Sequence, residues 1–306
     1  FAIYFLYKSF TEKSYKWDIL SGIFIGLSYL TKTIGIVFLG IVAVLLLANL
    51  ISSKDLRQIK KKIILYIFAF IVMYPWVIRN ILIFGFSITG FLGGYENEVS
   101  AGIKSYYPIS IFAWFLLYLG FLILSSGIVF AIMSLNNKMK DSKFNTFILT
   151  SLVSTIFFIL IASHHNTISQ IPVFTRYITG RAFGRHLDVL LPLIFILGFI
   201  GFRNYESNKR IKHIWLISIL LALSSILTLS KLLPPNSISL SHIGLISIGL
   251  NYLIENLAIL VFLLLFLCSI LFILILHKKK RLELNKILPY FIIFFLLISL
   301  LSYSMT

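Results

Sequence analysis

The sequence predicts an all-α fold: a polytopic transmembrane helical bundle with about nine spans and part of an earlier one. Hydrophobic residues make up 59% of the 306 residues and charged residues only 12%, against roughly 45–50% and 25% in an ordinary soluble domain. A single soluble core cannot enclose so much apolar surface, because one-core domains stop growing at about 250–300 residues. Apolar runs close to the ~20 residues of a spanning helix recur along the chain. The excess apolar surface is therefore expected to face lipid.

The first 50 residues contain three apolar runs. Residues 1–7 are interpreted as the end of a spanning helix. The run 18–31 has 14 residues, which give a helix of about 21 Å, too short for ~30 Å of hydrocarbon. It leads through Thr31, Lys32 and Thr33 into the run 33–50. The two runs form either the limbs of a hairpin or one very long helix.

The distribution of positive charge favours the hairpin. Cytoplasmic loops are enriched in Lys and Arg near the membrane ends. With an outer turn at residues 31–33, 20 of the 27 basic residues lie on the inner side, whereas one unbroken helix would leave 17 there. We therefore predict the hairpin, with Lys32 below the outer surface in a protein-lined or wet cavity. The inner segments are then 8–16, 54–62, 138–143, 203–212 and 278–286, and the long outer loops are 85–108, 164–186 and 231–250.

The rest of the chain continues as spans in a single transmembrane domain, residues 1–306. The further spans are predicted at 63–84, 109–134, 144–163, 187–202, 213–230, 251–276 and 287–303. Phe1 starts within an apolar stretch that lacks the features of a signal peptide, so we expect the C-terminal part of a longer membrane domain. The net charge is +17. Its basic residues lie in short clusters between the spans, which indicates topology signals and not a nucleic-acid partner.

Two cations near predicted outer helix ends are candidate anion ligands. An ionisable group inside a membrane costs on the order of 2.5–3.5 kcal/mol and normally has a partner or a task. Lys32 either snorkels to the interface or binds an anion such as a phosphate. Arg79 follows Pro75, which is expected to kink its helix, and Trp76, which has the depth of an aromatic belt. Arg79 is either an interfacial anchor or a planar fork for phosphate oxygens.

A second group of cations lies in the predicted outer segment 175–188. Arg181 and Arg185 share a face at i, i+4 if the segment is helical, and Asp188 could neutralise Arg185 instead. Together with Arg176, these residues oppose the usual charge bias of an outer loop. We take Arg181 and Arg185 as candidate ligands of an anionic substrate.

Other polar residues are weaker candidates for a metal or catalytic site. His164 and His165 are adjacent and point in different directions, so we predict no metal site there. Glu96 and Glu98 would share one face of an extended segment. They are candidates for a general base or a cation pair, or they belong to a solvated loop. The sequence contains no phosphate-cradling glycine loop, nucleophile elbow, metal-binding helix or dinucleotide fingerprint.

Three segments carry a resemblance to a known family. They read GlyIlePheIleGlyLeuSerTyrLeuThrLys at 22–32, TyrProTrpValIleArgAsn at 74–80 and GlyArgHisLeuAspValLeuLeuProLeu at 184–193. In order and spacing, the chain resembles the GT-C glycosyltransferases of the protein O-mannosyltransferase and aminoarabinose-transferase type over roughly residues 1–200. The resemblance implies a multi-pass enzyme of a prokaryotic cell membrane. Such an enzyme transfers a sugar, with inversion, from a polyprenyl-phosphate carrier to an extracytoplasmic acceptor, which is a protein, a glycan or a lipid.

The resemblance also implies roles for residues. Lys32 and Arg79 would hold the phosphate of the carrier. The acidic residue that activates the acceptor lies in the first outer loop of the family, so we expect the catalytic base outside these residues, with Glu96 or Glu98 as substitutes. His186 stands where the family commonly has Tyr. The sequence implies no cofactor and leaves assistance by a divalent metal open.

Two alternatives to a glycosyltransferase remain. One is a lipid-linked oligosaccharide flippase or polymerase-like transporter, with the same cations lining a pathway, and the other is a structural membrane subunit.

Overall fold

The fold is that of a computed structural model. The structure describes residues 1–12, 14–31, 33–53, 57–86, 107–126, 128–135, 142–168, 172–175, 178–179, 187–203, 216 and 219–220. The predicted spans 251–276 and 287–303 lie outside these residues, as does nearly all of the predicted span 213–230.

The described chain is helical apart from one short pair of strands. The helices are α1 (Ala2–Thr11), α2 (Tyr15–Thr31), α3 (Val37–Ser53), α4 (Arg57–Phe84), α5 (Tyr107–Ser125), α6 (Ile128–Leu135), α7 (Ser142–Ile168) and α8 (Leu191–Arg203). Short 3-10 turns, Thr33–Ile36 and Asp188–Leu190, precede α3 and α8. The strands β1 (Pro172–Thr175) and β2 (Ile178–Thr179) pair antiparallel.

The predicted span 109–134 is divided between two helices. Helix α5 ends at Ser125 and α6 begins at Ile128. Ser126 lies in the intervening turn, where its hydroxyl donates a hydrogen bond of 3.1 Å to the carbonyl of Ile123. Serine and glycine are weaker helix formers than the apolar residues around them, and the sequence Ser125–Ser126–Gly127 explains why the apolar run does not form one helix.

Two of the described helices are long and apolar enough to cross a membrane, Ile59–Phe84 within α4 and Asn145–Thr167 within α7. Only 17% of the most apolar window of α4 is buried, whereas the central helix of a soluble protein is mostly enclosed. The exposed face of α4 carries large apolar side chains such as Ile67, Phe70 and Ile71. Such a surface is unusual for a soluble monomer and supports association with a membrane.

The chain divides into two compact units, residues 1–104 with 139–161 and residues 105–138 with 162–306. In the first unit, α2 packs closely against α4. A methyl group at Gly22 would clash with the carbonyl oxygen of Leu65, and one at Gly26 would lie 2.6 Å from Cβ of Val72. Small residues at this spacing let two helix backbones approach each other. That the two units form one transmembrane domain stays a prediction.

The contacts between α2 and α4 show that the two helices run parallel. Asp18 meets Lys62, Gly22 meets Leu65, and Gly26 meets Val72, so both residue numbers rise together. A parallel pair requires the intervening chain to return, and α3 supplies the return. This packing agrees with the predicted hairpin and contradicts one unbroken helix over residues 18–50. The first limb, α2, has 17 residues and is longer than the predicted run 18–31.

Helix α7 fixes a common end for the first unit. The ring of Phe147, near the start of α7, lies 5.3 Å from that of Tyr7, and the ring of Phe158 lies 5.6 Å from that of Phe38. The starts of α2, α4 and α7 and the end of α1 therefore lie together. We call this the Lys62 end. Of the basic residues that were predicted to share one side, the described residues Lys8, Lys16, Lys60, Lys61 and Lys62 belong to this end.

The second unit has an aromatic core. Helix α8 packs on α6, where Gly198 lies against the backbone of Phe130. The Phe130 ring makes edge contacts with Phe195 and Phe199 at 5.1 and 5.0 Å. These contacts pair two apolar helices through one small residue and three rings.

Candidate functional site

Of the predicted phosphate ligands, the structure describes Arg79. Lys32, Arg181 and Arg185 lie outside the described residues, as do the candidate carboxylates Glu96 and Glu98. Of the segment 175–188, the structure describes Thr175 and Ile178–Thr179 as strand residues and Asp188 as the start of a 3-10 turn. The predicted i, i+4 relation of Arg181 and Arg185 lies outside the described residues and stays a prediction.

Arg79 continues the face of α4 that packs against α2. Leu65, Ala69 and Val72 contact α2 at Gly22 and Gly26. The helical spacing of three or four residues carries this face on to Trp76 and Arg79. Trp76 and Arg79 are exposed, whereas the next residue, Asn80, is buried. An aromatic ring and a guanidinium are thus exposed on a face whose earlier residues, Leu65 and Ala69, are buried.

Two neighbours on the same helix hold the Arg79 guanidinium. Its central carbon lies 4.8 Å from the centre of the Trp76 ring, a cation–π contact. One terminal nitrogen, Nη1, donates to Oδ1 of Asn80 at 3.4 Å. Within the described residues, no carboxylate pairs with Arg79. A guanidinium has five N–H donors, so most of this fork is available to an anion.

The register of α2 against α4 shows where α2 ends along the length of α4. The offset of 44 residues between Asp18 and Lys62 pairs Thr31, the last residue of α2, with Pro75. The Arg79 guanidinium folds back over Trp76, the residue after Pro75. By this register, Thr31 at the end of α2 lies about one helical turn before Arg79 along α4. We call the exposed set Trp76, Arg79 and Asn80 the Arg79 end of α4.

Asn80 differs from its neighbour Arg79 in burial. It is only 1% exposed, and its Nδ2 has no hydrogen-bond partner among the described residues. Arg79 has donors only, so the carboxamide atom that faces it must be the oxygen. Nδ2 is thus directed away from Arg79, with two unused hydrogens in a buried position. An unsatisfied buried donor of this kind costs about 1–3 kcal/mol.

The Lys62 end holds a different arrangement of charge, an ion pair that sequence reasoning did not find. The ammonium of Lys62 donates to Oδ1 of Asp18 at 2.5 Å and to the carbonyl oxygen of Ser9 at 2.6 Å. It also donates to the Ser9 hydroxyl at 2.5 Å, and this hydroxyl donates to Oδ1 of Asp18 at 2.7 Å. Three acceptors match the three donors of an ammonium, so α1, α2 and α4 are joined through one cation.

The burial of this ion pair indicates that its role is structural. Ser9, Asp18 and Lys62 are 4%, 2% and 3% exposed, and the ammonium also lies 4.5 Å from the centre of the Phe10 ring. Removing one partner of such a pair costs about 3–5 kcal/mol, because the other charge stays buried alone. Asp18 neutralises Lys62, so this cation is not free to bind a phosphate.

A surface groove on α4 lies on the face opposite to α2. It is lined by Ile63, Tyr66, Ile67, Phe70, Ile71 and Tyr74. The lining has no charged group, and the helical spacing separates it from Arg79. The groove fits contact with lipid chains better than a polar substrate.

Comparisons with protein families, with curated proteins and with solved structures give no match. Within the described parts of the chain, no three His, Cys, Asp or Glu side chains are grouped so that they could hold a metal ion. The geometry of the two ends of α4 therefore carries the functional interpretation.

Two features of the site were not predicted. Lys62 was interpreted only as part of the inner basic cluster, and Asn80 only as part of a resembling segment. The sequence does indicate a partner for Lys62. Asp18 is one of only 10 acidic residues in the chain, and it lies at the start of an apolar run, where a carboxylate needs a partner. For Asn80, its place on the same face as Leu65 and Ala69 could have indicated burial.

Proposed function

We propose that the protein is a membrane glycosyltransferase of the GT-C type, which transfers a sugar from a polyprenyl-phosphate carrier to an acceptor outside the cytoplasm. The observation that supports it best is the Arg79 fork. It is exposed, it is held by Trp76 and Asn80, and no carboxylate pairs with it in the described parts of the chain. It also lies within the segment 74–80 that resembles the family.

In the proposed reaction, the acceptor oxygen displaces the carrier phosphate at the anomeric carbon of the sugar. An acidic group removes the proton of the acceptor, and cations stabilise the negative charge on the departing phosphate. Arg79 would supply that stabilisation together with Lys32. Arg181 and Arg185 are proposed as further contacts to the donor. The base is not assigned to a described residue.

Binding of the carrier tests the proposal. The full-length protein in detergent is titrated with a polyprenyl phosphate and, separately, with the polyprenol of the same length. A site built on Arg79 binds the phosphate at least about tenfold more tightly, since a charge-assisted contact contributes about 1.5–3 kcal/mol. Equal affinity for both compounds would show that only the prenyl chain is recognised, and it would refute the proposed site.

The proposed orientation places the Lys62 end in the cytoplasm and the Arg79 end outside. Single cysteines at positions 58 and 97, introduced after replacement of Cys268, are labelled in intact cells with a membrane-impermeant thiol reagent. We expect label at position 97 and none at position 58. The reverse pattern would place the Arg79 end in the cytoplasm and exclude an external acceptor.

The second candidate is a lipid-linked oligosaccharide flippase or polymerase-like transporter. The exposed Arg79 fits it as well, because a cation at the end of a membrane helix can line a pathway for an anionic substrate. The two candidates differ in a simple assay: a transferase releases free polyprenyl phosphate from a lipid-linked sugar in detergent, where no two compartments exist. Translocation in sealed vesicles without such release would favour the transporter.

A further inference from the structure

The apolar groove on α4 has an exposed lysine at one end. The groove has a volume of about 740 Å³ and is lined by six residues between Ile63 and Tyr74. Lys60, Ile63 and Ile67 follow each other at intervals of three and four residues, so they share one face of α4. Lys60 is exposed, and no carboxylate pairs with it among the described residues. This face of α4 therefore begins with a cation and continues as an apolar groove.

The three consecutive lysines of α4 have different environments. Lys62 is enclosed and bonded to Asp18 of α2. The ammonium of Lys61 lies 5.6 Å from the centre of the Tyr15 ring, which also belongs to α2. Successive residues of a helix point about 100° apart, so Lys60 lies on another side of α4. Of these three lysines, Lys60 alone belongs to the face that carries the groove.

The length of the groove fits one leaflet of a membrane. Ile63 and Tyr74 are 11 positions apart, about 16 Å along the helix axis, and half of a hydrocarbon core of ~30 Å is about 15 Å. The Tyr66 ring forms a fixed wall, because its hydroxyl donates a hydrogen bond of 3.0 Å to the carbonyl oxygen of Leu39 in α3. The groove is thus long enough for the acyl chain of a lipid whose headgroup lies beside Lys60.

We propose that this face of α4 binds one acidic phospholipid from the leaflet at the Lys62 end. The ammonium of Lys60 pairs with the headgroup phosphate, and an acyl chain lies along the groove as far as Tyr74. Lysines near a membrane surface attract acidic lipids, whereas a zwitterionic headgroup carries its own cation beside the phosphate. The inference does not rest on the proposed function, because the groove faces away from α2 and Lys60 lies at the end of α4 opposite to Arg79.

Native mass spectrometry of the full-length protein in detergent measures the binding. The protein is titrated with phosphatidylglycerol and, separately, with phosphatidylcholine that has the same acyl chains. We expect phosphatidylglycerol to bind about fivefold more tightly, the equivalent of about 1 kcal/mol for one lysine near the surface. Lys60→Gln should bind both lipids equally. Equal affinity of the parent for both lipids, or a preference that Lys60→Gln leaves undiminished, would overturn the inference.

Lys16→Gln is the matched control for charge. Lys16 is exposed at the same end of the first unit, and no carboxylate pairs with it among the described residues. It lies on α2, however, with its ammonium 5.0 Å from the centre of the Trp17 ring. Its replacement should leave the preference for phosphatidylglycerol unchanged. An equal loss in Lys16→Gln and Lys60→Gln would show a general attraction of the basic surface for acidic lipids and would refute a site at the groove.

Ile67→Trp tests the groove itself. Ile67 lies in the middle of the groove and is about half exposed, so a larger ring at this position occupies the space of the acyl chain. Both lipids should bind more weakly, and the preference between them should stay unchanged. Leu82→Trp, at an exposed position of α4 beyond the groove, should bind as the parent does. Parent-like binding by Ile67→Trp would contradict the inference, and Lys60→Gln decides alone should Ile67→Trp not fold.

Other occupants of the groove would give different results. Displacement of phosphatidylglycerol by polyprenol would show that the groove holds a prenyl chain. A dimer that binds no lipid would show that a second copy of the chain covers this face. A monomer that binds neither lipid would show that another part of the same chain covers it. Each of these results would overturn the inference.

Discussion

The two ends of α4 place cations in opposite environments. At one end, Lys62 is 3% exposed, bonded to three acceptors and neutralised by Asp18. At the other end, Arg79 is exposed and lies over Trp76, with no carboxylate partner among the described residues. The residues are 17 positions apart on one helix, about 26 Å along its axis. The cation that is enclosed holds the helices together, and the cation that is open is available to a ligand.

The two ends of α4 differ in their position relative to α2. Its start lies beside Lys62 and supplies the carboxylate of Asp18, whereas its end at Thr31 comes before the level of Arg79. Asp18 also lies in the first turn of α2, where the helix dipole favours a negative charge. A cation covered by a neighbouring helix needs a counter-ion, and one beyond that helix does not. Burial and not residue type therefore distinguishes the paired charge of Lys62 from the charge of Arg79, which has no carboxylate partner among the described residues.

The largest effect on the free energy of unfolding is expected from a substitution of Lys62. Lys62→Met leaves the Asp18 carboxylate buried without a partner, and we expect a loss of about 3–5 kcal/mol in the free energy of unfolding. Thermal or denaturant unfolding of the purified protein in detergent measures it. Asp18→Leu combined with Lys62→Met should recover most of the loss, because apolar pairs often replace buried ion pairs at little cost. A double variant no better than either single one would show that the pair is not the unit of stability.

A smaller effect is expected from the close approach of α2 and α4. Gly26→Leu forces a side chain against Val72, whose Cβ would lie 2.6 Å from an added methyl group. Overpacking of this kind costs about 1–3 kcal/mol. Val44→Leu, on an exposed part of α3, is the control and should unfold like the parent. If Gly26→Leu also unfolds like the parent, the close parallel packing of α2 on α4, from which the position of Arg79 relative to α2 follows, would be wrong.

The smallest effect on stability is expected at the open end. Arg79→Ala removes an exposed side chain that contacts only Trp76 and Asn80 among the described residues. Substitutions of this kind usually stay within about 0.5 kcal/mol. The same unfolding assay should therefore separate Arg79→Ala from Lys62→Met clearly. A destabilisation by Arg79→Ala as large as that of Lys62→Met would mean that Arg79 is a structural residue as well.

The sequence predicted the helices better than their contacts. Runs of apolar residues marked α2, α3, α4 and α7, and the charge bias marked the turn after Thr31, because both signals are local. The break at Ser126 was missed, since the apolar run continues through it. The burial of Lys62 was also missed, because its partner Asp18 lies 44 residues earlier and only the packing of α2 on α4 joins them. Arg79 could be predicted as a candidate because a cation at the end of an apolar run is visible without tertiary structure.

Affinity for the carrier phosphate tests the central claim most directly. In the full-length protein, Arg79→Ala should weaken binding of polyprenyl phosphate by roughly 10- to 150-fold, the equivalent of a lost charge-assisted contact. Arg79→Lys should recover only part of the loss, because an ammonium lacks the planar fork. Lys61→Ala, at the opposite end of α4, should bind as the parent does. If Arg79→Ala folds normally and binds polyprenyl phosphate as tightly as the parent, the open cation is an interfacial anchor, and the assignment of function to this end of α4 is contradicted.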